Sequence, residues 1–201
     1  MRKINKIPCP KFVNHISRNK LNKFNIWDNL DSNIRQKTRD YILKEEQKGL
    51  SAYTEKRIEK SKKLHIDHFH KRNLYPQQTF DWDNLLVDEK EKPYGADAKD
   101  KKISKCDYKW VINPVVDDPH QYFEYSANGE IIPKIGLGKY EKKRAEKTIE
   151  IFNLNHSSLV DYRKTQYKHI HDYLDAGLPK QDILSELAEA PFLSLTEFLL
   201  P

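Results

Sequence analysis

The apolar residues of this chain change period near residue 140, and that change limits the folds open to it. Upstream, the apolar runs have the length of strands. "LHIDHF" (64–69) alternates, with Leu64, Ile66 and His68 on one face. The run Trp82-Asp83-Asn84-Leu85-Leu86 reads as a short apolar strand. "EYSANGEIIP" sets Asn128-Gly129 between two strand-like pieces, a hairpin signal because both residues tolerate positive φ. Downstream, "EKKRAEKTIEIF" lines up Ala145, Ile149 and Phe152 at helical spacing. "SLVDYRKTQYKHIHDYLDAG" does the same with Leu159, Tyr162, Tyr167, Ile170 and Leu174 before Gly177. Strand-like and helical runs in separate stretches predict a mixed α+β protein.

The N-terminal part divides in two. Residues 1–25 read as an extended arm, with Pro8 and Pro10 blocking regular structure. Residues 31–49 fit a helix capped by Asp31 or Ser32, with Ile34, Tyr41 and Ile42 on one face and Gly49 as its stop. A short helix fits 52–63. The expected organisation is a basic arm and helix (1–50), a central unit with a hairpin (51–140), and a helical region ending in an apolar tail (141–201).

Composition narrows the class. A 33% charged fraction beside 37% hydrophobic residues implies a thin core under a wet surface. No apolar stretch approaches the roughly 20 residues of a membrane span, and "MRKINKIPCPKF" lacks a signal-peptide core. Cys9 and Cys106 are too few for a disulfide framework, so the expected location is a reducing cytoplasm. The net charge of +6 is uneven: residues 1–63 carry 17 Lys and Arg against 7 Asp and Glu. Such a basic third suits a nucleic-acid backbone, or lysines that merely solvate helices.

The chemistry concentrates at His65-Ile66-Asp67-His68-Phe69-His70. An Asp-His pair at a strand end can hold a divalent cation with the carboxylate while the imidazole takes a proton from water. Asn84 can bond across the following turn and orient the histidine-bearing loop, and Asp107, in "SKCDYK", can complete a metal site. An accidental solvated cluster is the plain alternative. A zinc site of His65, His68 and His70 lacks a fourth tetrahedral ligand.

"HIDHFHKRNLYP…FDWDNLL…KCDYK" resembles the HNH nuclease core, a ββα-metal finger, in the branch found as the nuclease subunit of Septu anti-phage systems and in retron-associated relatives. The likeness spans roughly residues 40–163, through "KEEQKGLSAYTEKRI", "INPVVDDPHQYFEYSANGEIIP" and "AEKTIEIFNLNHSSLVDYR". It implies Asp67 as metal ligand, His68 as general base, Asn84 as the central asparagine, and Asp107 as second metal ligand at the start of the finger helix. It also implies Mg²⁺ or Mn²⁺, a nucleic-acid substrate, an ABC/SMC-like ATPase as partner, and in some systems a retron reverse transcriptase with its DNA. DNA is favoured as substrate, with structured RNA such as tRNA, or a non-catalytic partner-binding subunit, as alternatives.

Two departures follow from the same likeness. Where relatives carry zinc-binding cysteines, this chain has Ser51, Thr54 and Asp88, leaving Cys106 alone, so no structural zinc is expected. Lys71 replaces a proline after the histidine run. Lys60, Lys62, Lys63, Lys71 and Arg72 flank the motif and are candidate nucleic-acid contacts. The tail "PFLSLTEFLLP" offers Phe192, Leu195 and Phe198 as a docking segment for a partner, unless it folds back on the helices.

Overall fold

The computed structural model describes residues 1–22, 24–59 and 63–201. Helices α1 (Pro10–Arg18) and α2 (Ser32–Tyr41) precede a two-stranded antiparallel ribbon of β1 (Leu64–His68) and β2 (Leu85–Glu89). The short helix α3 (Ala96–Lys102) follows, then a second ribbon, β3 (Phe123–Tyr125) with β4 (Ile131–Pro133). Four helices close the chain: α4 (Lys139–Phe152), α5 (Ser157–Asp175), α6 (Lys180–Glu186) and α7 (Leu193–Leu199). The protein is α+β, with small antiparallel sheets among helices. None of its described helices is long and apolar enough to cross a membrane.

The β1–β2 ribbon separates two cores. Its register pairs Ile66 with Val87, Asp67 with Leu86 and His68 with Leu85. Leu64, Ile66, Leu85 and Val87 face a cluster built from Phe12, Trp27, Ile42 and Trp82. Leu86 faces the larger cluster, with Tyr53, Phe69, Ile112, Phe152 and Leu195. Cover on both faces is why β2 is buried throughout and opens with the consecutive apolar residues Leu85, Leu86 and Val87. The outer edge of β2 is satisfied by a side chain. The Gln47 amide donates to the Val87 carbonyl at 2.8 Å, and its oxygen accepts from the Val87 N–H at 2.8 Å.

Three expectations change. Pro10 does not block structure but opens α1, because the first helical position needs no N–H and suits proline's fixed φ. The N-terminal segment is no free arm: Ile4, Cys9 and Phe12 are buried in the two cores. No helix forms over the described part of 52–63. There the Ser51 hydroxyl accepts from Thr54 N–H, Glu55 adopts φ +59°, and Leu50 pairs with Arg57 across the turn. By contrast, Asp31 caps α2 through the Ile34 N–H at 3.0 Å, and Gly49, at φ +75°, ends the turn that follows.

The tail is core. Phe192 and Leu195 are buried in the larger cluster, so they are not a docking surface. Glu55, itself buried, accepts from the Ser194 N–H and hydroxyl, and its carbonyl accepts from Phe192 N–H at 3.0 Å. Phe198 alone of the three stays accessible, 41% exposed against Tyr125.

Candidate active site

Strand alternation sends Asp67 and His68 to opposite faces of β1. His68, 6% exposed, lies on the Trp27 side, edge-on to that indole with centroids 4.6 Å apart. Its Nε2 is 3.0 Å from the Thr79 carbonyl oxygen. A carbonyl only accepts, so Nε2 carries the hydrogen and the neutral ring has its lone pair on Nδ1. Burial pulls the imidazole pKa down to about 4, against the opposing carbonyl bond and the Asp67 charge. The ring is therefore held neutral, in one tautomer, with Nδ1 bonded to no described residue.

Asn84 holds the loop that carries this arrangement. Its Oδ1 accepts from the His70 N–H at 2.7 Å, and its Nδ2 donates to the carbonyls of His70 and Gln78, both at 3.1 Å. The Phe69 N–H bonds the Asn84 carbonyl at 2.9 Å. One buried amide thus ties the end of β1 to the far side of the loop, where Thr79 meets His68. His70 itself packs its ring against Tyr75 and Tyr108. His65, His68 and His70 do not converge.

On the other face Asp67 is enclosed. Tyr53 donates its hydroxyl to one carboxylate oxygen, and Lys99, from α3, places its ammonium 3.1 and 3.0 Å from the two oxygens. Burial opposes the Asp67 charge most strongly, but Lys99, His65 and the Tyr53 hydroxyl together hold the carboxyl below its usual range. Lys99 also donates to the carbonyls of His68 (2.8 Å) and Phe69 (3.2 Å) and lies 3.1 Å from Asp100. Burial and the Asp67 charge push the Asp100 carboxyl up.

Asp107 is not brought to Asp67. The helix after β2 is Ala96–Lys102, so Asp107 lies beyond its end and not at its start. Its carboxylate accepts from the Ser104 N–H (2.9 Å) and hydroxyl (2.6 Å), and these bonds lower its pKa. Among the described residues no group of three His, Cys, Asp or Glu is arranged to hold a metal ion. The oxygens around Asp67 are hard donors of the kind magnesium or manganese takes, but the Lys99 ammonium fills their centre. As the chain is built, its residues do not fit the expected cation.

Ser51 meets both Thr54 and Asp88: its hydroxyl accepts from the Thr54 N–H at 3.2 Å and bonds Asp88. Asp88 accepts from the N–H groups of Ala96 (2.8 Å) and Glu89 (2.9 Å) and from the Ser51 hydroxyl. The fourth participant is the backbone at Gly95, where a Cβ would lie 2.3 Å from an Asp88 oxygen. Cys106 is elsewhere, exposed, beside the Ser104 hydroxyl at 3.0 Å.

A groove of about 680 Å³ runs between α2 and β1, lined by Trp27, Arg35, Arg39, Arg72 and Lys90 among others. It adjoins His68 through their shared neighbour Trp27. Of the described flanking cations expected to touch nucleic acid, only Arg72 lines it, 3.3 Å from Asp28. Lys63 pairs with Glu91 at 2.7 Å, Lys71 bonds the Asp100 carbonyl at 2.7 Å, and Lys60 and Lys62 lie outside the described residues. Sequence reasoning missed Lys99, Arg35, Arg39, Lys90 and the Thr79 carbonyl. Lys99 had one readable signal: it shares a helical stripe with Ala96 and Ile103, both of which are buried. No known protein family matches the chain, and no curated protein is significantly similar to it.

Proposed function

We propose that this chain hydrolyses phosphodiester bonds as an HNH-type nuclease, acting on nucleic acid with DNA favoured. One observation carries the reading: a neutral, buried His68 with Nε2–H committed to the Thr79 carbonyl and Nδ1 left as its one basic nitrogen. A general base needs a neutral ring with one free nitrogen, and Asn84 ties down the loop that orients it. The order β1, β2, α3, with Asp67-His68 at the end of β1, supports a ββα finger. His68 Nδ1 takes the proton of the attacking water, whose oxygen bonds phosphorus as the ester P–O bond breaks and the leaving oxygen takes a proton from solvent. Nε2–H keeps the ring oriented as it becomes imidazolium, and the Asp67 charge favours that form. Arg35, Arg39, Arg72 and Lys90 supply positive charge along the adjoining groove for the substrate backbone.

The partner ATPase, and a retron reverse transcriptase with its DNA, rest on the HNH–Septu resemblance. The buried Phe192 and Leu195 withdraw the proposed docking segment, leaving Phe198 as its exposed remnant. A second reading, a partner-binding subunit that cleaves nothing, is favoured by Lys99 filling the place of a metal. Incubating plasmid DNA and total RNA with the purified protein and with His68→Ala decides between them. The nuclease reading expects cleavage that falls 10²-fold or more in the variant. No cleavage of either substrate, or equal cleavage by both proteins, refutes it.

A further inference from the structure

We propose that the Lys99 ammonium is the resident cation of the Asp67 site, and that it closes this site to divalent metal. The argument is geometric. Lys99 is 0% exposed although it is a lysine on a helix of seven residues. Its Nζ is surrounded only by oxygens: both of Asp67, the carbonyls of His68 and Phe69, and one of Asp100. All of these lie between 2.8 and 3.2 Å. A hard divalent ion bound at Asp67 would seek this same set of carboxylates and carbonyls.

The side chain cannot yield easily. An entering metal must expel a buried ammonium and break its bonds, and Asp67 would then stand without its partner until the metal arrived. The Lys71 ammonium bonds the Asp100 carbonyl and fixes the backbone next to Lys99. The Tyr53 hydroxyl, itself buried, bonds one of the Asp67 oxygens as well. Lys99 therefore does the positional part of a metal's task. It neutralises Asp67 and fixes the carbonyls of His68 and Phe69, and so the backbone from which the His68 ring projects. Being enclosed, it does not touch a substrate phosphate, so phosphate charge falls to the groove cations. This inference holds whether or not the chain cleaves anything.

Manganese binding, read by water-proton relaxation enhancement, tests it. The full-length protein and Asp67→Asn should show the same weak, non-specific response to Mn²⁺. Lys99→Ala should gain one site, absent from Lys99→Ala/Asp67→Asn, with a dissociation constant of roughly 10⁻⁴–10⁻³ M, the range of weak oxygen-ligand sites. Binding by the natural protein that Asp67→Asn removes would overturn the proposal. So would a folded Lys99→Ala that gains no site, since the oxygens would then not form a cation nest. If Lys99→Ala does not fold, comparison of the natural protein with Asp67→Asn still decides. Any cleavage found for the natural protein should persist in EDTA, and its loss there, with Mn²⁺ binding unchanged by Asp67→Asn, would overturn the metal-free corollary without touching His68.

Discussion

Replacing Asn84 by alanine tests whether one amide holds the His68 loop. The residue is buried, and its side chain makes three hydrogen bonds, to His70 N–H, His70 carbonyl and Gln78 carbonyl. At a net ~0.5–1.5 kcal/mol each, their loss costs about 1.5–4.5 kcal/mol. With a urea m-value of about 3 kcal/mol per M, the midpoint should fall by about 0.5–1.5 M. Asn84→Asp is the sharper variant. It keeps the bond from His70 N–H but turns a carboxylate oxygen toward the two carbonyls that Nδ2 now serves. It should therefore cost at least as much as alanine despite its matching shape. Hydrogen exchange separates a local clamp from general weakening. The amides of Phe69 and His70 should lose protection selectively, while those of α4 fall only with global stability. Since Thr79 sits on the same loop, His68 should lose its orientation in both variants. A midpoint shift below about 0.2 M, with the His70 amide still protected, would refute the clamp.

Three further outcomes follow from particular contacts. Burial raises the Asp88 carboxyl to about 7 against the pull of three hydrogen bonds. The folded state therefore binds this proton more tightly than the unfolded chain, whose carboxyl titrates near 4. The stabilisation is complete below about pH 4 and lost by about pH 7, worth roughly 4 kcal/mol from this group. Asp88→Asn should remove that decline, as read from urea midpoints at intervals across the range. Deleting residues 191–201 removes buried Phe192 and Leu195, each worth about 1.5–3 kcal/mol. It should give insoluble or unfolded protein, and a soluble folded remainder would show that the tail is separable. Reversing Arg35 and Arg39 together should flatten the salt dependence of nucleic-acid binding, the slope of log K against log salt falling by about 2. Reversing Lys142 and Lys143 is the control, and an equal effect there would remove the groove from the binding surface.

How much was legible depends on the range of the interactions involved. Local periodicity was enough for β1, for the β3–β4 turn at Gly129, and for α4 and α5, because alternation and helical spacing are properties of neighbouring residues. Capping was equally local at the start of α2, where Asp31 bonds the Ile34 N–H, whereas Gly49 ends not α2, which stops at Tyr41, but the turn after it. Asn84 was readable as an orienting residue because its partners lie on the same loop. Cation placement was not. Lys99 is one lysine among many, and only the packing of α3 onto the ribbon turns it inward to Asp67. Asp107 looked like a ligand by its position in a motif, yet α3 ends before it and Ser104 takes its carboxylate. The apolar tail could be core or surface until Glu55, more than a hundred residues away, was seen to anchor Ser194. Spacing along a chain specifies which face a side chain shares with its neighbours. Which distant charge it will meet is decided by how elements pack, since burial makes an ion pair obligatory only once both partners have left water.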